Sequence, residues 1–138
     1  MAADSRQSYP NHNYVPEYQA SGLPFSISGD TISNTPIKIE FPFVTRWVVV
    51  HNIDNSSGNH TLRLGFTEAG VKGQENTPSV ERNYFDIHAG EQTPRLELRC
   101  KELWLMAEPG RTRPYSVIAG LTNVTSSQFP TLSGEGIG

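Results

Sequence analysis

Along most of the chain the apolar positions recur every second residue. In TPIKIEF, Ile37, Ile39 and Phe41 share one side while Lys38 and Glu40 take the other. HTLRLGF repeats the pattern with Leu62, Leu64 and Phe66, and PRLELRC with Leu96, Leu98 and Cys100. A period of two is that of a strand with one face buried. FVTRWVVVHN is more uniformly apolar, which predicts a central strand covered on both faces. NYFDIH, ELWLMA, PYSVIAGL and a short opening strand near PFSI complete the set.

Turn signals separate these runs: Ser28-Gly29-Asp30, Asn52 to Asn59, Ala89-Gly90-Glu91 and Glu108-Pro109-Gly110. The stretch RWVVVHNIDNSSGNHTLRLGF, residues 46 to 66, reads as a hairpin closed by a polar loop. No window has helical periodicity. Short strands with Gly- and Pro-rich joints predict an all-β, antiparallel β-sandwich. About eight strands, with one long interior connection from Thr67 to Arg82, suit a single jelly roll.

The ends break the pattern. Residues 1–22 carry Tyr9, Tyr14, Tyr18, Pro10 and Pro16 among polar residues with no strand or helix period, and read as an extended N-terminal arm. Tyrosines spaced through such an arm point to docking on a surface. The sandwich then spans 23–124, and 125–138 form an irregular C-terminal tail whose anchors are Phe129 and Leu132.

A length of 138 residues fits one such domain. A net charge of -3, with eleven scattered basic residues, predicts no direct nucleic-acid contact. One cysteine excludes an internal disulfide and a Cys-based zinc site, which suits a reducing compartment. Met1 to Pro10 lacks the character of a signal peptide, and no apolar run is long enough to span a bilayer, so a soluble protein is expected. The glycosylation-like triplets at Asn55, Asn59 and Asn123 are then products of an Asn/Ser/Thr-rich composition.

Candidate chemistry is sparse. His51 and His60 flank the polar loop and would meet across a hairpin; with Asp54 they would make a zinc or copper site, though two solvated histidines are the expected state. DNSSGN begins like a calcium loop but has Gly65 where the closing Glu belongs. Asp86 and Glu97 fall on the polar sides of strands read as adjacent, where hydrolytic carboxylates would sit, and are expected to be solvated neighbours of Arg95 or Arg99. Cys100 shares the apolar side of its strand, so it reads as a core residue. Trp47 and Trp104, set among Val and Leu, also read as core. No catalytic, cofactor-binding or metal-binding residues are assigned.

The order PFVTRWVVVHNIDNSSGNHTLRLGFTEAGV, NYFDIHAGEQTPRLELRCKELWLMA, YSVIAGLTNV and a Phe-Pro-Thr-Leu tail resembles the small minor capsid proteins of large icosahedral double-stranded DNA viruses of algae and amoebae. The similarity covers about residues 40–133; its most specific portion is LELRCKELWLMA followed by YSVIAGLTNV. The resemblance implies a single jelly roll present in repeated copies, made in the host cytoplasm and built into the virion. Its partners would be the major capsid protein and other minor capsid proteins, held by surface complementarity as cement or as part of a vertex, without enzymatic activity.

Two other classes stay open. A carbohydrate- or receptor-binding sandwich of a viral fibre would need an aromatic groove, with Tyr84, His88 and Trp104 the residues to watch. A hydrolase on the same scaffold would need two carboxylates facing each other across a cleft.

Overall fold

The period-two segments become seven strands in a computed structural model that describes residues 22–55, 60–73, 82–134 and 136–138. They are β1 (Leu23–Asp30), β2 (Ile37–Glu40), β3 (Phe43–Asn52), β4 (Thr61–Gly65), β5 (Tyr84–His88), β6 (Glu102–Ala107) and β7 (Pro114–Thr125). Two antiparallel sheets form, in the orders β1-β7-β3 and β2-β6-β4-β5. Their inner faces meet in one core: Val48, Val50, Val117 and Ala119 from the first sheet against Ile39, Leu62, Leu64, Ile87, Leu103 and Leu105 from the second. The chain is therefore an all-β sandwich. Fully burying each such side chain contributes about 1.5–3 kcal/mol, so alternation suffices to hold the layers together.

Several expectations need correcting. β3 and β4 lie in different sheets, so residues 46–66 form a crossing between layers and not a hairpin. β3 lies between β7 and the bridged residues 91–96, yet it is not covered on both faces; β7 pairs with both β1 and β3. The apolar run of β3 is continuous because Trp47 and Val49 stand on its outer face, half-buried, beside the exposed Ile118 of β7. Trp47 is thus not a core residue.

The strand expected at PRLELRC does not form as a regular element. Residues 91–96 run beside β3, where Val48 and Leu96 exchange hydrogen bonds of 2.9 Å each, and Thr93 N–H donates to the Val50 carbonyl at 2.9 Å. Pro94 brings no donor to this ladder, and the Leu98 N–H turns back to the Leu96 carbonyl at 2.9 Å, a tight three-residue turn that ends the extended run. Leu98 is left half-buried and Cys100 buried.

Ser28-Gly29-Asp30 belongs to β1 and is not a turn. Gly29 is small because the Tyr115 hydroxyl lies 3.1 Å from where its Cβ would be. The reversal comes at Ile32 to Thr35, closed by a 3.1 Å hydrogen bond, with Asn34 at φ 58°. Within the connection after β4 sits a helix, α1 (Glu68–Lys72). Thr67 caps it by accepting from the Gly70 N–H, and Gly73 ends it at φ 76°. Five residues are too few to leave a helical period in the sequence. Among the described residues, no helix is long and apolar enough to cross a membrane.

Past β7, a 3-10 turn (Ser126–Gln128) leads the tail onto the domain. The Ser126 hydroxyl donates to the Phe41 carbonyl, and the Lys101 ammonium donates to the Phe129 carbonyl and the Thr131 hydroxyl at 3.4 and 3.2 Å. Phe129, only 9% exposed, packs with Val44 and Val124, and Leu132 joins this second cluster. Farther on, the Ile137 carbonyl accepts from the Thr67 hydroxyl at 3.3 Å.

Candidate functional site

On β6, alternation turns Leu103 and Leu105 inward, so Glu102 and Trp104 face outward from the second sheet. Register then sets Lys38, Trp104, Gly65 and Tyr84 in one row across the outer faces of β2, β6, β4 and β5. Gly65 leaves room for α1: a Cβ there would lie 2.8 Å from the Cβ of the buried Val71. The helix and the tail wall off a pocket of about 190 Å³ around Trp104, with Phe66, Glu68, Lys101, Glu102 and Leu132 among its lining. A broader groove of about 520 Å³ adjoins it, sharing Lys101 and Glu102.

The indole N–H of Trp104 donates to the Glu102 carboxylate at 2.9 Å, fixing both. Lys38 lies 5.9 Å from the ring centroid, within cation–π range, and pairs with Glu40 at 2.9 Å and Glu102 at 3.8 Å. The hydrogen bond to Glu40, partly opposed by desolvation, raises the Lys38 pKa above 10.5 and keeps the ammonium charged. The result is a half-buried aromatic ring with a carboxylate and two ammonium groups at its rim. That arrangement suits stacking and hydrogen bonding to one small ring, since ordinary ligand pockets run to about 300–1,000 Å³. Trp104 is therefore a pocket residue and not a core one.

The other residues of the carbohydrate reading do not all gather here. Tyr84 shares the row with Trp104, but its ring is covered by the Arg63 guanidinium at 4.3 Å. His88 is exposed at the far end of β5, opposite Thr61. Asp86 faces Arg63 on β5, whereas Glu97 belongs to the segment beside the other sheet and pairs with Arg95 at 3.0 Å. The two carboxylates are not on adjacent strands, and no acid pair forms between them.

A second polar group closes one end of the sandwich. Asp54, from the β3–β4 crossing, is buried and meets the Arg113 guanidinium at 3.4 Å. Arg113 also holds Glu108, which accepts from the Thr61 N–H at 3.2 Å. His60 approaches Asp54 at 3.9 Å, while His51 points away on the outer face of β3, so the His51–His60–Asp54 trio does not assemble. Among the described residues no cluster of three metal-ligating side chains forms. Buried Asn52 bridges the layers, donating to the Ile87 carbonyl at 2.9 Å and accepting from the Asp54 N–H at 3.2 Å. The network is a fastening between sheets. Nothing in the spacing of Asp54, Glu108 and Arg113 along the chain announced it.

Cys100 is buried against Thr45, whose hydroxyl donates to the Leu98 carbonyl at 2.7 Å and accepts from the Cys100 N–H at 3.0 Å. Burial pushes the thiol up to about 11, far from nucleophilic use at neutral pH.

Of the five docking anchors read from the sequence, Tyr9, Tyr14 and Tyr18 lie outside the described residues. Phe129 is spent on its own domain, because its burial against Val44 and Val124 leaves almost nothing to offer a neighbour. Leu132 is half-buried and contributes to the wall of the Trp104 pocket. Comparison with known proteins found no matching family, no curated relative and no similar solved structure.

Proposed function

We propose that this chain is a structural shell protein: a single jelly roll that binds neighbouring capsid proteins and stabilises a virion without catalysis. The observation that carries the reading is the strand order. With the bridged segment beside β3 counted as an edge, the sheets run β1-β7-β3-segment and β2-β6-β4-β5, an arrangement in which successive strands alternate between layers except for β4 and β5, which pair within the second, as in a jelly roll. The likeness of LELRCKELWLMA and YSVIAGLTNV to minor capsid proteins supports the same class. The outer face of the first sheet, with Trp47, Val49 and exposed Ile118, offers apolar area to a neighbour. The N-terminal arm supplies further contacts through Tyr9, Tyr14 and Tyr18, with major and minor capsid proteins as partners.

The test is to look for the chain in purified particles by mass spectrometry and cross-link it to its neighbours. Deleting Met1 to Ala20 is expected to leave a folded sandwich whose occupancy in particles falls. Absence from particles, or full occupancy without the arm and with Ile118→Glu, overturns the reading.

A second reading, a carbohydrate-binding module, draws on the Trp104 pocket with Glu102 and Lys101 at its rim. Glycan-array binding lost in Trp104→Ala would favour it.

A further inference from the structure

We infer that β1 is an association edge whose occupant is the β1 strand of a second copy, paired antiparallel about a two-fold axis through Ile27. Among the described residues β1 pairs with β7 alone, leaving its other side open. The remaining sheet edges carry the devices that discourage strand addition. β2 has four residues, with Lys38 and Glu40 exposed; β5 has five, with Asp86 and His88 exposed; the segment beside β3 is interrupted by Pro94 and the Leu96–Leu98 turn. β1 has eight residues, LPFSISGD, and Asp30 is its only charge. Leu23 and Ile27 stay 46% and 39% exposed although they face the inner side.

Backbone direction follows from one hydrogen bond. The Thr31 N–H donates to the Arg113 carbonyl at 2.9 Å, continuing the β1–β7 ladder. Alternation then aims the peptide groups of Leu23, Phe25, Ile27 and Gly29 at β7, and those of Pro24, Ser26, Ser28 and Asp30 at the open side. Pro24 thus has its missing N–H where no ladder bond is lost inside the domain.

The open side is self-complementary in one register. With Ile27 opposite the partner's Ile27, Ser26 lies opposite the partner's Ser28, and these two exchange both N–H···O bonds. Asp30 donates to the carbonyl of the partner's Pro24, so the position without a donor costs little. Phe25 falls opposite the partner's Gly29, which adds no side chain of its own, and no like charges meet. The Ile27 pair covers apolar surface that is exposed in one copy. The inference does not rest on the shell reading, because it concerns the isolated chain in solution.

The test is sedimentation equilibrium with the full chain, whose mass is 15.3 kDa. A concentration-dependent dimer is expected. Ser26→Lys with Ser28→Lys should abolish it by placing like charges opposite each other, and mixing that variant with Ser26→Glu, Ser28→Glu should restore a heterodimer. Ile27→Cys should oxidise readily to a covalent dimer, since native Cys100 is buried, while Ser26→Cys should not. Circular dichroism melts establish that each variant is folded. A full chain that stays monomeric at millimolar concentration, a dimer that appears only after Met1 to Ala20 are removed, or cross-linking at 26 in place of 27 overturns the inference.

Discussion

The indole of Trp47 occupies the space into which a side chain at Gly120 would project: any Cβ there would collide with Nε1 and Cε2. The two residues are register partners on β3 and β7, so the contact holds the aromatic ring down on the outer face of the first sheet. Gly120→Ala must therefore expel the ring or bend the central strand. The expected loss is about 1–3 kcal/mol in chemical denaturation, with a red-shifted tryptophan emission. A Trp47→Ala background should relieve the clash. The same loss in both backgrounds would show that the ring is not the obstacle.

Glu108 gives the sandwich an acid-sensitive fastening. Burial opposes its ionisation, yet the Arg113 guanidinium and the Thr61 N–H more than compensate and hold its carboxyl below the ordinary 4.5. A folded-state pKa below the unfolded one contributes stability that is full above pH 4.5 and is lost as pH falls through the depressed value. Melting temperature should decline below that point, and Glu108→Gln should start lower but show a flatter acid limb. Parallel acid limbs would count against the assignment.

Arg113 is the cation between two carboxylates, and its side chain is 11% exposed. Arg113→Met should cost about 3 kcal/mol, because Asp54 and Glu108 would face each other without it. Adding Asp54→Asn and Glu108→Gln should recover part of the loss. Urea titrations of the single and triple variants decide this; no recovery would mean that packing by the Arg113 stem dominates.

The tail is part of the fold. Phe129→Ala should destabilise by about 3 kcal/mol, as expected for a buried ring, and release the residues after it. Limited proteolysis should then cut after residue 129 in the variant but not in the wild type. A wild-type melt in Phe129→Ala would return this side chain to the role of a free anchor.

Leu103 and Leu98 separate core from margin. Leu103 is fully buried, so Leu103→Ala should cost about 2–5 kcal/mol, whereas half-buried Leu98 should cost about 1. Equal losses would place Leu98 deeper than its position after the Leu96 turn allows.

Alternation made the layers legible: Ile39, Leu62, Leu64, Leu103 and Leu105 are inward, as their spacing required. The period also implied two-sided cover for β3, and there it misled. Val49 and Trp47 are apolar because they build an outer patch, which looks the same in sequence as a buried face. Which sheet a strand joins is not encoded in its own period, so the β3–β4 crossing read as a hairpin. Trp104 was hidden for the same reason. Its neighbours Leu103 and Leu105 are core residues, and only the pairing with Gly65 and Lys38 reveals that the ring looks out beside Glu102. The Asp54–Arg113–Glu108 fastening joins a crossing to a distant turn, a proximity that no local spacing expresses.

The position of β7 sets an order on synthesis. It is the last of the seven described strands to leave the ribosome, and both β1 and β3 pair with it. Until residues 114–125 emerge, β1 has no native neighbour among the described strands, and the first layer lacks Val117 and Ala119, which complete the core against Leu62. Pairing across so long a stretch of chain is slow as well as late. The nascent chain therefore carries β1 unpaired and the β7-side edge of β3 open until then, an interval in which unpaired strand edges and exposed apolar surface favour aggregation.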